Sequence, residues 1–142
     1  MNEIVYRIEP RLAGSDLRNL FATAWKTQGV ADETRWQLYV QNVLSRSLTY
    51  ICGYDGGLLV GFANVAWDGG FHGFILDTTV HSDYQRKGIG ANLMSLAAQV
   101  CRERGIKWLH VDFEPQLLPF YRKCGYQTTE AGLLSLSTPS AC

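Results

Sequence analysis

A short glycine-containing stretch, QRKGIGA at residues 85–91, stands between a run of strand-forming residues and a run of helix-forming residues. A helix that begins directly after a strand has unpaired backbone N–H groups in its first turn, and these groups bind anions. Gly88 and Gly90 would let an anion approach the main chain without a Cβ in the way, and Arg86 and Lys87 add positive charge. Each hydrogen bond from the main chain to an anion contributes roughly 1.5–3 kcal/mol, more than the ~0.3–1 kcal/mol of the helix dipole. The stretch therefore predicts an anion-binding turn.

The residue types of this stretch allow three other interpretations. The glycines could form only a tight turn beside a solvated pair of cations, an alternative that the stretch alone leaves open. A dinucleotide-binding fingerprint needs a third glycine where Leu93 stands, and it follows parallel strands, whereas the strands here are predicted to be antiparallel. A P-loop needs a longer glycine spacing followed by Lys and by Ser or Thr, and these residues are absent. The last two interpretations are therefore rejected.

The first part of the chain is predicted to form one strand and two helices. Residues 4–10 alternate well enough for an opening strand. The apolar residues that follow recur at helical spacing, in a helix that would begin at Ser15 or Asp16 and end at Gly29. A second helix would begin directly after Asp32.

The middle of the chain alternates between strands and turns. Apolar runs at residues 48–54, 58–67 and 73–80 are separated by Asp-Gly-Gly segments that begin at Asp55 and Asp68. Asp-Gly steps suit the positive φ that tight hairpin turns require. Three antiparallel strands in a meander are therefore expected.

The last part of the chain returns to helical spacing. Apolar residues mark one helical face from Gly88 to Gly105, and a short strand at residues 107–113 follows. A strand, a helix and a strand in succession favour a crossover with the two strands parallel. Pro119 either opens the next short helix or kinks it, and a late start at Pro119 is the favoured alternative. Residues 132–137, GLLSLS, are predicted to form a final strand.

Two blocks of residues together resemble the GNAT superfamily of acyl-CoA-dependent N-acyltransferases. Gln85, Gly88 and Gly90 match its Q/R-x-x-G-x-G/A signature, and residues 120–126, FYRKCGY, match its later Y-x-x-x-G-F/Y block. The resemblance implies an α/β (α+β) fold with a splayed mixed β-sheet and helices on both faces. The implied order is one strand, two helices, three strands, a helix, a strand, a helix and two further strands, in a single domain that covers residues 1–142.

The resemblance implies that the protein is an acetyl-CoA-dependent N-acetyltransferase. Acyl-CoA would lie in the gap between the strand that holds Asp77–Val80 and the strand that holds Trp108–Asp112, with its pyrophosphate on the glycine-containing turn. In the family, a main-chain N–H near Val80, exposed by a bulge, polarises the thioester carbonyl. The residues assigned to the co-substrate in this way are Thr79, Val80, Gln85, Arg86, Lys87, Gly88, Ile89, Gly90 and Ala91.

The chemistry of acyl transfer then indicates three candidate catalytic residues. Attack of an amine on a thioester needs a neutral amine, an oxyanion donor and a proton for the departing thiolate. Tyr121 matches the general acid of the family, and its alternative role is to pack in a short helix. Asp77 is the first candidate for the general base and Glu114 the second, although many relatives have asparagine where Glu114 stands. Either carboxylate could instead be structural, Glu114 as a cap before Pro115.

The amine acceptor is predicted to lie against aromatic residues in the parts of the chain that vary within the family. The candidate acceptor-binding residues are Trp25, Trp67, Phe71 and His72. The acceptor is expected to be a small molecule or a peptide, and its identity stays open. An inactive module of the same fold that binds acyl-CoA as a sensor is the alternative function.

Composition excludes several other classes of protein. In 142 residues, Lys plus Arg and Asp plus Glu both number 13, so the net charge predicts no binding to nucleic acid or to an anionic membrane. The four cysteines and three histidines are isolated from one another, so neither a metal site nor a disulfide framework is expected. Because the sequence shows no signal peptide and no run long enough to span a membrane, a cytoplasmic protein is expected. A homodimer is possible.

Overall fold

The computed structural model describes residues 3–25 and 32–137, and these residues form one five-stranded sheet with helices on both faces. In sheet order the strands are β1 (Val5–Ile8), β2 (Thr49–Asp55), β3 (Leu58–Trp67), β4 (His72–Val80) and β5 (Trp108–Val111). The helices are α1 (Gly14–Trp25), α2 (Glu33–Leu38), α3 (Ile89–Glu103) and α4 (Leu118–Lys123). Strands β1 to β4 are antiparallel and β5 is parallel to β4, so the predicted meander and the predicted parallel crossover are both confirmed.

The sheet separates two apolar layers. Helix α3 covers one face, where Leu93 and Ala97 are fully buried in the same cluster as Val60 of β3. Helix α1 covers the other face, where Leu17 is fully buried in a second cluster with Phe62. Val60 and Phe62 are two residues apart, yet they reach different layers, because the pairing of β2 with β3 is irregular at Val60: Gly53 faces Gly61 and Tyr54 faces Leu59. Burial on both faces of the sheet explains why β3 is almost entirely apolar.

Helices α1 and α2 approach each other most closely at Gly14. A Cβ placed on Gly14 would lie 2.6 Å from the backbone N of Gln37 and 2.8 Å from the carbonyl C of Trp36. The N–H of Gly14 also donates to Oε1 of Gln37 at 3.3 Å. Because the nearest atoms belong to the main chain, no side-chain rotation can make room for a larger residue.

Replacement of Gly14 by alanine is therefore expected to lower the free energy of unfolding by about 1–3 kcal/mol, the usual range for an overpacked site. Urea denaturation measures this change. The matched control is Gly57→Ala in the turn between β2 and β3, where an added Cβ meets nothing within 4 Å. Equal stability of the two variants would contradict the close approach of α1 to α2.

The second predicted helix is confirmed, but its pitch changes along its length. Asp32 caps α2, since its Oδ1 accepts a hydrogen bond from the N–H of Arg35 at 3.0 Å. After α2 the chain forms a π-helical turn at Tyr39–Val43 and a 3₁₀ turn at Leu44–Arg46. The predicted end of the first helix at Gly29 lies outside the described residues.

The late start of the last helix is also confirmed. Helix α4 begins at Leu118 and has Pro119 in its first turn, where a proline loses no hydrogen bond. The residues just before it form a 3₁₀ turn at Pro115–Leu117 and are not extended.

The prediction of two strands after α4 was wrong for the described residues. Among the described residues, positions 126–137 contain no strand, and the side chains of Leu133, Leu134 and Leu136 are 85%, 72% and 90% exposed. A strand is stable only when a neighbour pairs with it. The outer edge of β5 has no partner strand in the described part of the chain, so the alternating pattern of residues 132–137 does not by itself produce a strand.

Candidate active site

An irregularity in β4 marks the centre of the site. The pairing of β3 with β4 shifts by one residue between Phe62 and Asn64, so that Asp77 and Thr78 together face Ala63. Two residues opposite one is a β-bulge. Asp77 has a φ of 59°, a left-handed conformation that is uncommon for a residue other than glycine and that concentrates at functional sites.

The sheet opens at this bulge. Strand β4 pairs with β5 only as far as Ile75. Further along, the N–H of His81 donates to the carbonyl of Val60 at 2.8 Å, and the alternation of an antiparallel ladder then turns the N–H and C=O of Val80 away from β3. The carbonyl of Val80 accepts a hydrogen bond from Nε2 of Gln85 at 3.2 Å. The N–H of Val80 therefore faces the gap beside β4 and is oriented to donate to a group bound there.

The turn before α3 has the main-chain geometry of an anion site. Arg86 and Gly88 both have positive φ, 61° and 83°, and Gly88 immediately precedes the first residue of α3. Within the described ranges, the amide N–H groups of Ile89, Gly90 and Ala91 donate to no backbone or side-chain acceptor. A Cβ on Gly88 would meet no protein atom within 4 Å, so the space above the turn is open. A diphosphate would fit these residues, because it needs several unpaired N–H groups and room to approach them.

Gly90 brings three elements of the site together. A Cβ on Gly90 would lie 3.2 Å from Cζ of Phe120 in α4 and 3.9 Å from Cγ2 of Val80 in β4. The absence of a side chain at this position therefore lets the first turn of α3 sit close to both neighbours. The predicted anion-binding glycine is also a packing glycine.

Tyr121 reaches the site from α4. Its side chain is only 6% exposed and its ring stacks on Phe113 with the centroids 4.6 Å apart. Burial raises the pKa of Tyr121, and the neighbouring hydroxyl of Thr78 acts in the opposite direction. A phenol with a raised pKa stays protonated at neutral pH and can donate a proton. The proximity to Thr78 brings this donor to the bulge from the α3 side of the sheet.

Helical residues cover the bulge from the other side of the sheet. The hydroxyl of Tyr39 donates to Oδ2 of Asp77 at 2.7 Å, and Nε1 of Trp25 donates to Oγ1 of Thr79 at 3.1 Å. Sequence reasoning identified Trp25 but missed Tyr39, which fitted the apolar stripe of the second helix. The only signal in the sequence was its hydroxyl, because a tyrosine in an apolar stripe usually finds a hydrogen-bond partner.

Two of the predicted site residues are less well placed. The hydroxyl of Thr79 accepts from Trp25 and donates to the carbonyl of Asp77 at 3.2 Å, so its polar side chain is already occupied on the α1 side. Glu114 is exposed in the loop after β5, and its side chain contacts no hydrogen-bond or ion-pair partner in the part of the chain that the structure describes. Asp77 is therefore the candidate base that lies at the bulge.

The structure does not bring the other three predicted acceptor residues to the site. Trp67, Phe71 and His72 lie at the turn between β3 and β4. His72 and Asp77 are five positions apart along β4, which corresponds to about 17 Å. Instead, Nδ1 of His72 lies 2.8 Å from Nε2 of His110 in β5. This hairpin turn is at the start of β4, whereas the bulge and the helix start are at its end, and the role of these three residues in acceptor binding stays a prediction.

The described residues contain neither a cluster of metal-binding side chains nor a helix that could span a membrane. No group of three or more His, Cys, Asp or Glu side chains could hold a metal ion within residues 3–25 and 32–137. In the same residues no helix has the length and apolarity needed to cross a bilayer.

The resemblance implied a sheet that opens at a bulge beside a helix start with unpaired N–H groups, and the described residues form this arrangement. The model of the acetyltransferase (GNAT) family matches residues 15–126, and the chain belongs to this family. The predicted family and the mixed α+β fold are thus confirmed.

Individual relatives add detail to this assignment. The chain is 37% identical over 68 residues to an uncharacterized N-acetyltransferase, ycf52, of Porphyra purpurea, a match that covers 48% of this chain and 39% of the relative. The chain therefore matches about two fifths of that relative's length. Among solved structures it resembles an acetyltransferase of Trypanosoma brucei, with a TM-score of 0.77, 22% identity and coverage of 94% and 100% of the two chains. It also resembles glucosamine-6-phosphate N-acetyltransferase of Arabidopsis thaliana, with a TM-score of 0.73, 18% identity and coverage of 92% and 97%. These two likenesses concern the fold alone.

Proposed function

We propose that this protein transfers an acetyl group from acetyl-CoA to a primary amine by direct attack within a ternary complex. The observation that carries the proposal is the set of unpaired amides at Ile89, Gly90 and Ala91, which lie beside a sheet that opens at a bulge. Membership of the acetyltransferase family supports the same reaction class. The acceptor is proposed to be a small molecule or a peptide, and the reaction to take place in the cytoplasm.

Each part of the site has a role in this proposal. The turn from Gln85 to Ala91 binds the diphosphate of the co-substrate through main-chain N–H groups and the charges of Arg86 and Lys87. The N–H of Val80 donates to the oxygen on which negative charge develops during attack. Preorganised donors of this kind typically lower the barrier by about 3–4 kcal/mol.

The amine must lose two protons during the reaction. The pKa of an ordinary alkyl ammonium lies about three units above pH 7, so loss of its first proton at that pH costs roughly 4 kcal/mol. Asp77 holds the ammonium and receives this first proton through water. As the nitrogen–carbon bond forms and the carbon–sulfur bond breaks, Tyr121 donates a proton to the leaving thiolate. The product nitrogen then releases its second proton to solvent. Asp77 releases the proton that it received and the phenolate of Tyr121 takes one up, so both groups return to their starting states and one proton is released overall.

An assay with a defined panel of amines tests the proposal. Acetyl-CoA is mixed with glucosamine 6-phosphate, L-lysine, tryptamine or a peptide with a free N-terminus and one lysine, and the release of free thiol is followed. Thiol release that depends on the amine is the expected result. Uptake of CoA without turnover on any amine would favour the alternative, an acyl-CoA-binding sensor. No uptake of CoA in calorimetry would end the proposal.

Replacement of the candidate bases separates their roles. Asp77→Asn is expected to lower kcat/KM for the amine about 100-fold, the usual order of general-base contributions. Glu114→Gln is expected to change it less than threefold, because that side chain is exposed and has no described partner. Steady-state kinetics on the best amine of the panel provide the measurement. The reverse order of the two effects would assign the role of base to Glu114.

A further inference from the structure

Tyr39 connects the second helical segment to the candidate base. Its hydroxyl donates to Oδ2 of Asp77 at 2.7 Å. Its ring is held edge-on by Trp36, with the centroids 5.6 Å apart, and by Phe62, with the centroids 6.4 Å apart. The ring is therefore fixed by the apolar layer under α1 and α2, while the hydroxyl extends to the bulge.

The carboxylate of Asp77 determines which way the hydroxyl of Tyr39 donates. An ionised carboxylate can only accept a hydrogen bond, so the proton of Tyr39 is directed to Oδ2 of Asp77. Burial and the Asp77 carboxylate together raise the pKa of Tyr39, which keeps this proton in place.

Two backbone irregularities meet at this hydrogen bond. Tyr39 is the first residue of the π-helical turn, and Asp77 has the positive φ of the bulge. Both irregularities are costly and are found preferentially at functional sites. Among the described residues only Tyr39 bonds to the carboxylate of Asp77, so its other oxygen, Oδ1, has no protein partner. That oxygen is available to a ligand.

We propose that Tyr39 is a positioning residue that holds the carboxylate of Asp77 so that Oδ1 receives the ammonium group of the acceptor. The inference rests on the proposed function, because it concerns the acceptor side of the same site. Tyr39 and Trp25, which contact Asp77 and Thr79, provide aromatic surface beside the bulge, which suits a cationic amine. Tyr39 acts through Asp77 and does not itself exchange a proton with the acceptor.

Replacement of Tyr39 by phenylalanine tests the inference, because it removes one oxygen and keeps the packed ring. The expected result is a decrease of about tenfold in kcat/KM for the amine, with the affinity for CoA in calorimetry unchanged. The control is Tyr50→Phe, which removes a hydroxyl that donates to the carbonyl of Pro10 at 2.6 Å in the same apolar layer. The control is expected to keep its activity within twofold.

A double-mutant cycle with Asp77→Asn separates positioning from a purely structural role. If Tyr39 acts through Asp77, the double variant loses no more activity than Asp77→Asn alone. A further tenfold loss in the double variant would overturn the inference, and so would an unchanged kcat/KM in Tyr39→Phe. If Asp77→Asn is impaired and Tyr39→Phe is not, the inference fails and the proposed function stands.

If no amine of the panel is acetylated, the inference is tested by calorimetry of tryptamine with the protein–CoA complex. Equal affinity of wild type and Tyr39→Phe for tryptamine would overturn the inference.

Discussion

Replacement of Gly88 by aspartate is expected to abolish the binding of CoA. Gly88 has a φ of 83° and stands directly before the amides of Ile89, Gly90 and Ala91. A carboxylate at this position would lie beside the diphosphate. At an effective dielectric constant of about 20, two unit charges about 5 Å apart repel by roughly 3 kcal/mol, which corresponds to more than a 100-fold loss of affinity. Calorimetry with CoA measures the loss.

The control for this variant is Gly88→Asn. Asparagine has nearly the same size as aspartate and tolerates positive φ about as well, but it carries no charge. The folded protein leaves room for either side chain, since a Cβ on Gly88 meets nothing within 4 Å. The ratio of the two affinities therefore reports the charge repulsion separately from the backbone and steric effects. Equal affinities would mean that no anion binds at this turn, and the proposed function would lose its main support.

The sequence was sufficient to predict this turn because the signal is local. Two glycines at the start of a helix determine both the positive φ at Gly88 and the unpaired N–H groups that follow it. The same applies to the meander, where Asp-Gly steps set the hairpin turns, and to α4, where Pro119 fixes the start. In each case the conformation depends on residues within a few positions of one another.

The acceptor side could not be predicted in the same way, because it depends on contacts between distant residues. Tyr39 and Asp77 are 38 positions apart, and their hydrogen bond requires both the π-helical turn and the bulge. No local sequence pattern indicates either the π-helical turn or the bulge. The same applies to Trp67, Phe71 and His72, because no local pattern shows that their glycine-rich turn stands at the opposite end of β4 from the bulge.

The final strands were wrong for a related reason. The alternation in GLLSLS is a local signal for a strand, but a strand also needs a neighbour with free hydrogen-bonding groups. In the described residues, Leu133, Leu134 and Leu136 remain exposed and pair with nothing. A local sequence pattern therefore predicted the turns and helix starts, which depend on neighbouring residues. It did not predict whether a strand forms, because that depends on pairing with another strand.

Replacement of Tyr121 by phenylalanine is expected to lower turnover about 10- to 100-fold and to leave the affinity for CoA nearly unchanged. The phenol is the proposed donor of a proton to the leaving thiolate, and general acids contribute roughly this much or more. The ring keeps its stacking on Phe113, so the fold should be retained. Burial raises the pKa of Tyr121 above that of an ordinary phenol, so the donor stays protonated until the pH rises through that higher value. A decline of the wild-type rate caused by this group would thus begin only above about pH 10.

Tyr126→Phe is the matched control, because it removes a neighbouring hydroxyl without touching the proposed chemistry. The ring of Tyr126 lies edge-on to that of Tyr121 with the centroids 5.6 Å apart, and its own hydroxyl is buried without a partner among the described residues. Loss of that oxygen should leave turnover unchanged, since no hydrogen bond is broken. If Tyr121→Phe turns over as fast as Tyr126→Phe, then Tyr121 is only a core residue of α4, and another group must supply the proton to the thiolate.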